Sequence, residues 1–231
     1  MNREEKLKTD FNTFITSKFN LAEKDFYNEL STKDFFELKN LLSNINNIIT
    51  LKLTIQFIAE IAGYYNFSSQ TIESVVNSIQ SINPNTNGFD IEISSPVKIV
   101  AEVKSNIPIN NGFVFGSAQK NGILRDFSSL KNGKSKSNID TKDYYKFFVL
   151  PDTENTRKAT SNLLDLLKNN NEYINFVFEI LTKTTKINDK EKIYIAFIEV
   201  KNKITYPATV QPAVMATGHW PASEEEKNGK T

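Results

Sequence analysis

The sequence predicts an α/β domain, a mixed β-sheet flanked by helices, with a helical N-terminal region ahead of it. Three observations predict it. Ahead of Asn83 the apolar residues recur at spacings of three and four, and from Gly88 to Ser105 they alternate with a period of two. Beyond Ser105, helix-like and strand-like stretches succeed one another as far as Val200.

Residues 3–19 put Leu7, Phe11, Phe14, Ile15 and Phe19 on one helical face. Ser31 and Asp34 mark the start of a longer helix over 33–49, with Phe35, Phe36, Leu38, Leu41, Leu42, Ile45 and Ile49 as its apolar positions. A separate helix is expected over 51–65, carrying Ile55, Phe57, Ile58 and Ile61. The most regular one follows Ser68 or Ser69 with Ile72, Val75, Val76, Ile79 and Ile82, and the run Asn83-Pro84-Asn85-Thr86-Asn87-Gly88 ends it.

GFDIEISSPVKIVAEVKS, from Gly88 to Ser105, reads as two short strands around Ser95-Pro96-Val97. Folding it there opposes Phe89 to Val103, Ile91 to Ala101 and Ile93 to Ile99, which makes one face apolar and disfavours a one-residue slip. The same register sets Asp90 opposite Glu102, with Lys104 on Glu102's face because strand side chains repeat every second residue. Two carboxylates and an ammonium on one face suit a hard divalent cation, since Mg²⁺ takes one or two carboxylates together with water and phosphate oxygens. A lysine beside that ion can orient water or offset charge on a phosphate.

After Lys104 comes a loop with Gly112 and Gly116 but no Walker or GxGxxG spacing, so no nucleotide cofactor is expected. Ser117 is the expected cap of a helix over 118–131 with Ile123, Leu124, Phe127 and Leu130 inside, and Gln119 and Lys120 in its first turn. Residues 131–142 form a Lys-, Ser- and Asn-rich loop. It is read first as a mobile solvated connection and otherwise as a DNA-contacting arm, in which Lys131, Lys134 and Lys136 gather, the residue type that makes salt-dependent phosphate contacts. YYKFFVL (144–150) is a strand ended by Pro151, and a helix over 157–169 follows with Leu163, Leu164, Leu166 and Leu167. NFVFEIL (175–181) and KIYIAFIEV (192–200) are the last strands, the second a central or hairpin strand of the core. From Tyr206 the composition shifts to Ala, Pro, Thr and Glu, so 206–231 is expected to be a disordered tail.

Asp90 with Glu102-Val103-Lys104 resembles the PD-(D/E)xK nuclease superfamily, which has an Asp opening one strand and Glu-x-Lys in the next. Phe89 stands where the superfamily's name has Pro. The resemblance covers roughly residues 88–150 and implies a restriction-endonuclease-like core. It implies a Mg²⁺-dependent DNA endonuclease, a hydrolase most like a type II restriction enzyme, with Mn²⁺ able to substitute and a homodimer acting on double-stranded DNA. On it, Asp90, Glu102 and the Val103 carbonyl are the metal ligands and Lys104 the residue that positions or activates water. Glu60 or Glu73 supplies an added acidic group from a preceding helix, and Gln119 matches a Gln placed on the helix after the motif. Ile123 replaces that Gln's companion Tyr. Lys120, Lys131, Lys134 and Lys136 are the expected DNA contacts. The domain division expected is 1–66 helical, 67–205 catalytic core and 206–231 tail.

Other readings stand beside this one. Glu199-Val200-Lys201 repeats Glu-x-Lys, but its upstream Asp189 lies in a polar turn with no strand partner. The same residues also fit a repair, recombination or RNA-processing nuclease of the superfamily, a catalytically inert DNA- or protein-binding module, or a structural protein built on the N-terminal helices.

Composition removes several classes. Among 231 residues there is no Cys and a single histidine, His219 in the Pro-rich tail, so thiolate metal sites, zinc hydrolases and Ser-His-Asp triads have no ligands or base. A formal net charge of +1, with Arg only at 3, 125 and 157, excludes a uniformly basic coat but leaves room for a local basic cleft. The charged start, with no apolar run of membrane-span length, and the absence of Cys fit a soluble cytoplasmic protein.

Overall fold

A computed structural model of the chain describes residues 2–81, 88–109, 112–134, 137 and 139–200. Ile82, Lys136, Lys201, His219 and the 206–231 tail lie outside the described residues. The helices are α1 (Arg3–Phe19), α2 (Phe26–Glu29), α3 (Thr32–Tyr65), α4 (Ser69–Ser81), α5 (Ser117–Asn132) and α6 (Glu154–Leu167). The strands are β1 (Ile91–Ile93), β2 (Ile99–Val103), β3 (Tyr145–Pro151), β4 (Val177–Ile180) and β5 (Lys192–Ile198).

Local chemistry explains most boundaries. Asn2 and Glu5 exchange side-chain and backbone bonds across the start of α1, a capping box. Ser31 and Asp34 do the same for α3, at 2.7 and 3.3 Å. α3 runs unbroken where two helices were expected, because Ile49-Thr50-Leu51-Lys52 holds no Gly or Pro and Leu53, Phe57 and Ile58 beyond it bury against the sheet. The unbroken helix is also long and apolar enough to cross a membrane by length and composition alone, with 39% of its most apolar stretch buried, so the expectation of no such run does not hold. α6 begins three residues before its expected start, since Thr153 Oγ1 accepts from the Thr156 amide at 3.1 Å.

The chain forms two compact units that divide within α3, between Asn46 and Asn47. In the first, the Asn12 side chain accepts from the Tyr27 amide and donates to Asp25, and Phe11 and Phe35 both pack on Tyr27. No α1 residue is buried. The second unit takes the later part of α3, rather than starting at residue 67, because Leu53, Phe57, Ile58, Ile61 and Ala62 are buried in its core.

That core is built on one five-stranded mixed sheet in the order β1-β2-β3-β5-β4. β1 is antiparallel to β2, and every other pairing is parallel. β5 is therefore an inner strand paired in parallel with β4, not half of a hairpin. One face of the sheet packs on α3 and α4 through Ile91, Ile99, Ala101, Phe147, Tyr194 and Ala196. The other packs on α5 and α6 through Val100, Phe148, Leu150, Ile193 and Ile195. Covered on both sides, β2 is buried at every position, as a strand in a parallel sheet must be.

The two halves of α3 should respond oppositely to truncation. Phe57→Ala, at a fully buried site against Phe147, should cost about 3–5 kcal/mol in urea unfolding. Leu41→Ala, at a site 54% exposed, should stay within about 0.5 kcal/mol.

Candidate active site

The hairpin register is the expected one, with Ile91 opposite Ala101 and Ile93 opposite Ile99. One expectation changes. Phe89 is not on the apolar face with Ile91 and Ile93 but packs on the opposite side with Val100 and Phe127. The strand begins only at Ile91, and the Phe89 amide donates to Glu92 Oε1 at 3.0 Å, so strict alternation stops one turn early. Asp90 stands at that bend, exposed, and its Oδ2 accepts from the Val103 amide at 2.7 Å. The bond fixes the carboxylate across the last residues of β2.

Glu102 points from β2 into the α5 side of the sheet and is only 2% exposed. Burial, and then the neighbouring Asp90 charge, push its carboxyl up to about 7. Lys134 opposes that rise, with Nζ 2.5 Å from Glu102 Oε1. Oε1 thus faces the Lys134 ammonium directly, as one half of a close ion pair. Lys134 Nζ also donates to Gly88 O at 2.6 Å and lies 4.9 Å over the Phe89 ring.

Lys104 emerges just past β2, its amide donating to Val149 O at 2.9 Å so that the ladder to β3 carries it. Its Nζ lies 3.0 Å from Asp126 Oδ2 on α5. Burial pulls the Lys104 ammonium down, but Asp126, Asp90 and Glu102 together outweigh it and hold its pKa above the ordinary lysine value. Asp126 is itself raised, chiefly by burial. Two buried carboxylate oxygens, Glu102 Oε1 and Asp126 Oδ2, thus each face a lysine ammonium here.

So Asp90, Glu102 and Lys104 converge at one end of β2, with the Val103 backbone between them. Lys134 joins them as part of the cluster rather than as an arm in solvent. Asp126 was missed by motif reasoning. Its signal was spacing: it lies three residues after Ile123 and four before Leu130, an acid beside an otherwise apolar stripe.

The remaining candidates sit elsewhere. Gln119 Oε1 accepts from the Gly116 amide and its Nε2 donates to Ile107 O, so Gln119 caps α5, from Gly116 rather than Ser117, and pins the preceding loop. Lys120 is half-buried in the same first turn. Lys131 pairs with Glu191 at 2.7 Å. Glu60, half-buried in α3, accepts from Gln56 at 3.2 Å, and Glu73 is exposed on α4. Asp90 also borders a cleft of about 410 Å³ between α4 and β1, lined by Ser74, Ser78 and Glu92 among others.

The donor set fits a hard cation: exposed Asp90 beside buried Glu102, two carboxylates of which the second already holds a cation, the Lys134 ammonium. Among the described residues, no three Asp, Glu, His or Cys side chains form a ready-made cage, so water and phosphate oxygens would complete the shell. Comparison with protein-family models, with curated proteins and with solved structures finds no match.

Glu102 gives the site a pH signature. Its carboxyl takes up its proton near pH 7 in the fold against an ordinary value of 4.5. Its protonation thus adds stability that is complete below about 4.5 and is lost as the pH rises through about 7. With chelator present, Glu102→Gln should be more stable than wild type at pH 8 by roughly 1–3 kcal/mol. The gap should close by about pH 5; a gap that stays constant with pH would return Glu102 to an ordinary carboxylate.

Proposed function

We propose that this protein is a divalent-cation-dependent DNA endonuclease with a restriction-endonuclease-like core, acting as a type II restriction enzyme on double-stranded DNA as a homodimer. One juxtaposition carries the reading. Asp90, tied to the end of β2 by the Val103 amide, lies near enough to Glu102 for its charge to raise that carboxyl, and Lys104 lies one strand period beyond Glu102 with its charge maintained by Asp126. The order of elements supports it too: a hairpin carrying the acids and the lysine, then α5, then β3 alongside β2.

Asp90, Glu102 and the Val103 carbonyl would hold Mg²⁺, with Mn²⁺ as substitute. Bound there, the ion supplies a positive charge against the phosphate and makes water easier to deprotonate. The chain's own residues do the rest. Asp90, locked by the Val103 amide, sets the position of one carboxylate without reorganisation. Lys104, kept cationic, orients the attacking water and offsets charge gathering on the phosphate oxygens. Water's oxygen adds to phosphorus, the P–O ester bond on the far side breaks, and the departing oxygen takes a proton. The products are a phosphomonoester and a free hydroxyl.

A second reading has an observation of its own. Both lysines of the cluster already face a carboxylate, Lys104 with Asp126 and Lys134 with Glu102, as in a module where these pairs only join α5 to the hairpin. Cation binding separates the two, because a ligand that binds the folded state alone raises its melting temperature. For the nuclease, Mg²⁺ should raise the melting temperature of wild type and not of Glu102→Gln. That shift should grow from pH 6 to pH 8 as the cation stops competing with Glu102's proton.

On mixed plasmid and phage DNA with Mg²⁺, the purified protein should produce discrete fragments. Lys104→Ala should lose at least about 100-fold of that activity under conditions where its circular dichroism still shows the folded state. Asp126→Asn should lose less, because it loosens Lys104 without removing it. Undiminished cutting by Lys104→Ala would remove that residue from the chemistry.

A further inference from the structure

We propose, resting on the cation site just described, that Lys134 is the resident cation of the Glu102 carboxylate and is exchanged for the divalent ion when that ion binds. The placement is built into the end of α5. Gly133 takes a positive φ of 85°, a conformation glycine adopts at little cost, while its amide closes the helix on Ser129 O at 2.8 Å. The chain thereby turns back, and Lys134 reaches the hairpin instead of solvent.

Its three contacts all come from the hairpin: Gly88 O, Glu102 Oε1 and the face of Phe89. A carbonyl oxygen, a carboxylate oxygen and an aromatic face make a general cation seat, not one specific to an ammonium. The pair with Glu102 is a close contact of opposite charges at a carboxylate only 2% exposed. Lys98 offers a contrast, paired at 3.1 Å with Asp143 on the open surface.

A divalent ion on Glu102 and the Lys134 ammonium in its present position would be like charges within contact distance in a largely buried pocket. That repulsion is large where the dielectric is low. One must leave, and Lys134 has a flexible stem. Its occupancy lowers the apparent affinity for the ion by the fraction of time the seat is open. Before the ion arrives, the ammonium keeps a buried carboxylate from standing without a counter-charge.

The test uses the full chain. With an amine-acylating reagent read out by mass spectrometry, saturating Mg²⁺ should raise Lys134 labelling by about threefold or more and leave Lys98 unchanged. By calorimetry in high salt, where distant charges are screened, Lys134→Gln should bind Mn²⁺ about fivefold more tightly than either wild type or Lys98→Gln. Lys134 labelling that the bound ion does not change, or equal Mn²⁺ affinity in Lys134→Gln and wild type, would overturn the exchange and leave the cation site standing. No ion binding by wild type or variant would take down both. Should Lys134→Gln not fold, labelling of the wild-type chain decides alone.

Discussion

A carboxylate almost fully removed from water at the end of an inner strand is the constraint around which this domain is arranged. Glu102 sits on β2 with β1 on one side, β3 on the other and α5 above. An isolated charge in that setting would cost several kcal/mol. The fold answers with one nearby ammonium, from Lys134, and with a carboxyl that binds its proton far more readily than an ordinary glutamate. Neither answer is complete, because the carboxyl stays raised even with the ammonium beside it.

The rest of the unit makes that placement unavoidable. Antiparallel pairing holds Ile91 opposite Ala101, and Asp90, one residue earlier, is tied to the end of β2 by the bond its carboxylate accepts from the Val103 amide. Parallel pairing to β3 continues through the Lys104 amide, so the lysine's backbone is as fixed as the strand's. On the far face, Ile99, Ala101 and Val103 interdigitate with α3 and α4, and a one-residue slip would send all of them to the wrong side. The same packing that holds the sheet together thus holds the polar end of β2 in register.

Much of this was legible in the sequence, because hydrophobic period and carboxylate spacing are both local. Alternation from Ile91 to Ile93 and from Ile99 to Val103 gave the hairpin register, and with it the nearness of Asp90 to Glu102. Local rules ran out where long-range packing chose. Nothing between Ile49 and Lys52 says whether a helix pauses there; its absence of breakers let α3 continue once Leu53 and Phe57 had a sheet to cover. Lys134 looked like any lysine of a polar loop, since its role depends on the Gly133 turn and on a hairpin more than thirty residues earlier. Asp126 was readable in principle, as an acid flanking an apolar stripe, but only the fold reveals that Lys104 is what it faces.

Why such a cluster exists at all is a matter of energetics. Ion pairs taken out of water are commonly matched or bettered in stability by apolar side chains of similar volume. α5 and the hairpin already meet through Phe89, Ile123, Phe127 and Val100, so apolar contact is available to join them. The cluster instead gathers Asp90, Glu102 and Asp126 against Lys104 and Lys134, one acid in excess when all are ionised. Glu102 and Asp126 each already face one of those ammoniums, which leaves Asp90 as the acid without one. Cohesion alone gives no reason for gathering an extra carboxylate at a partly buried site, since like charges there repel. A bound cation would offset that excess, which is what the proposed reading asks of this end of β2.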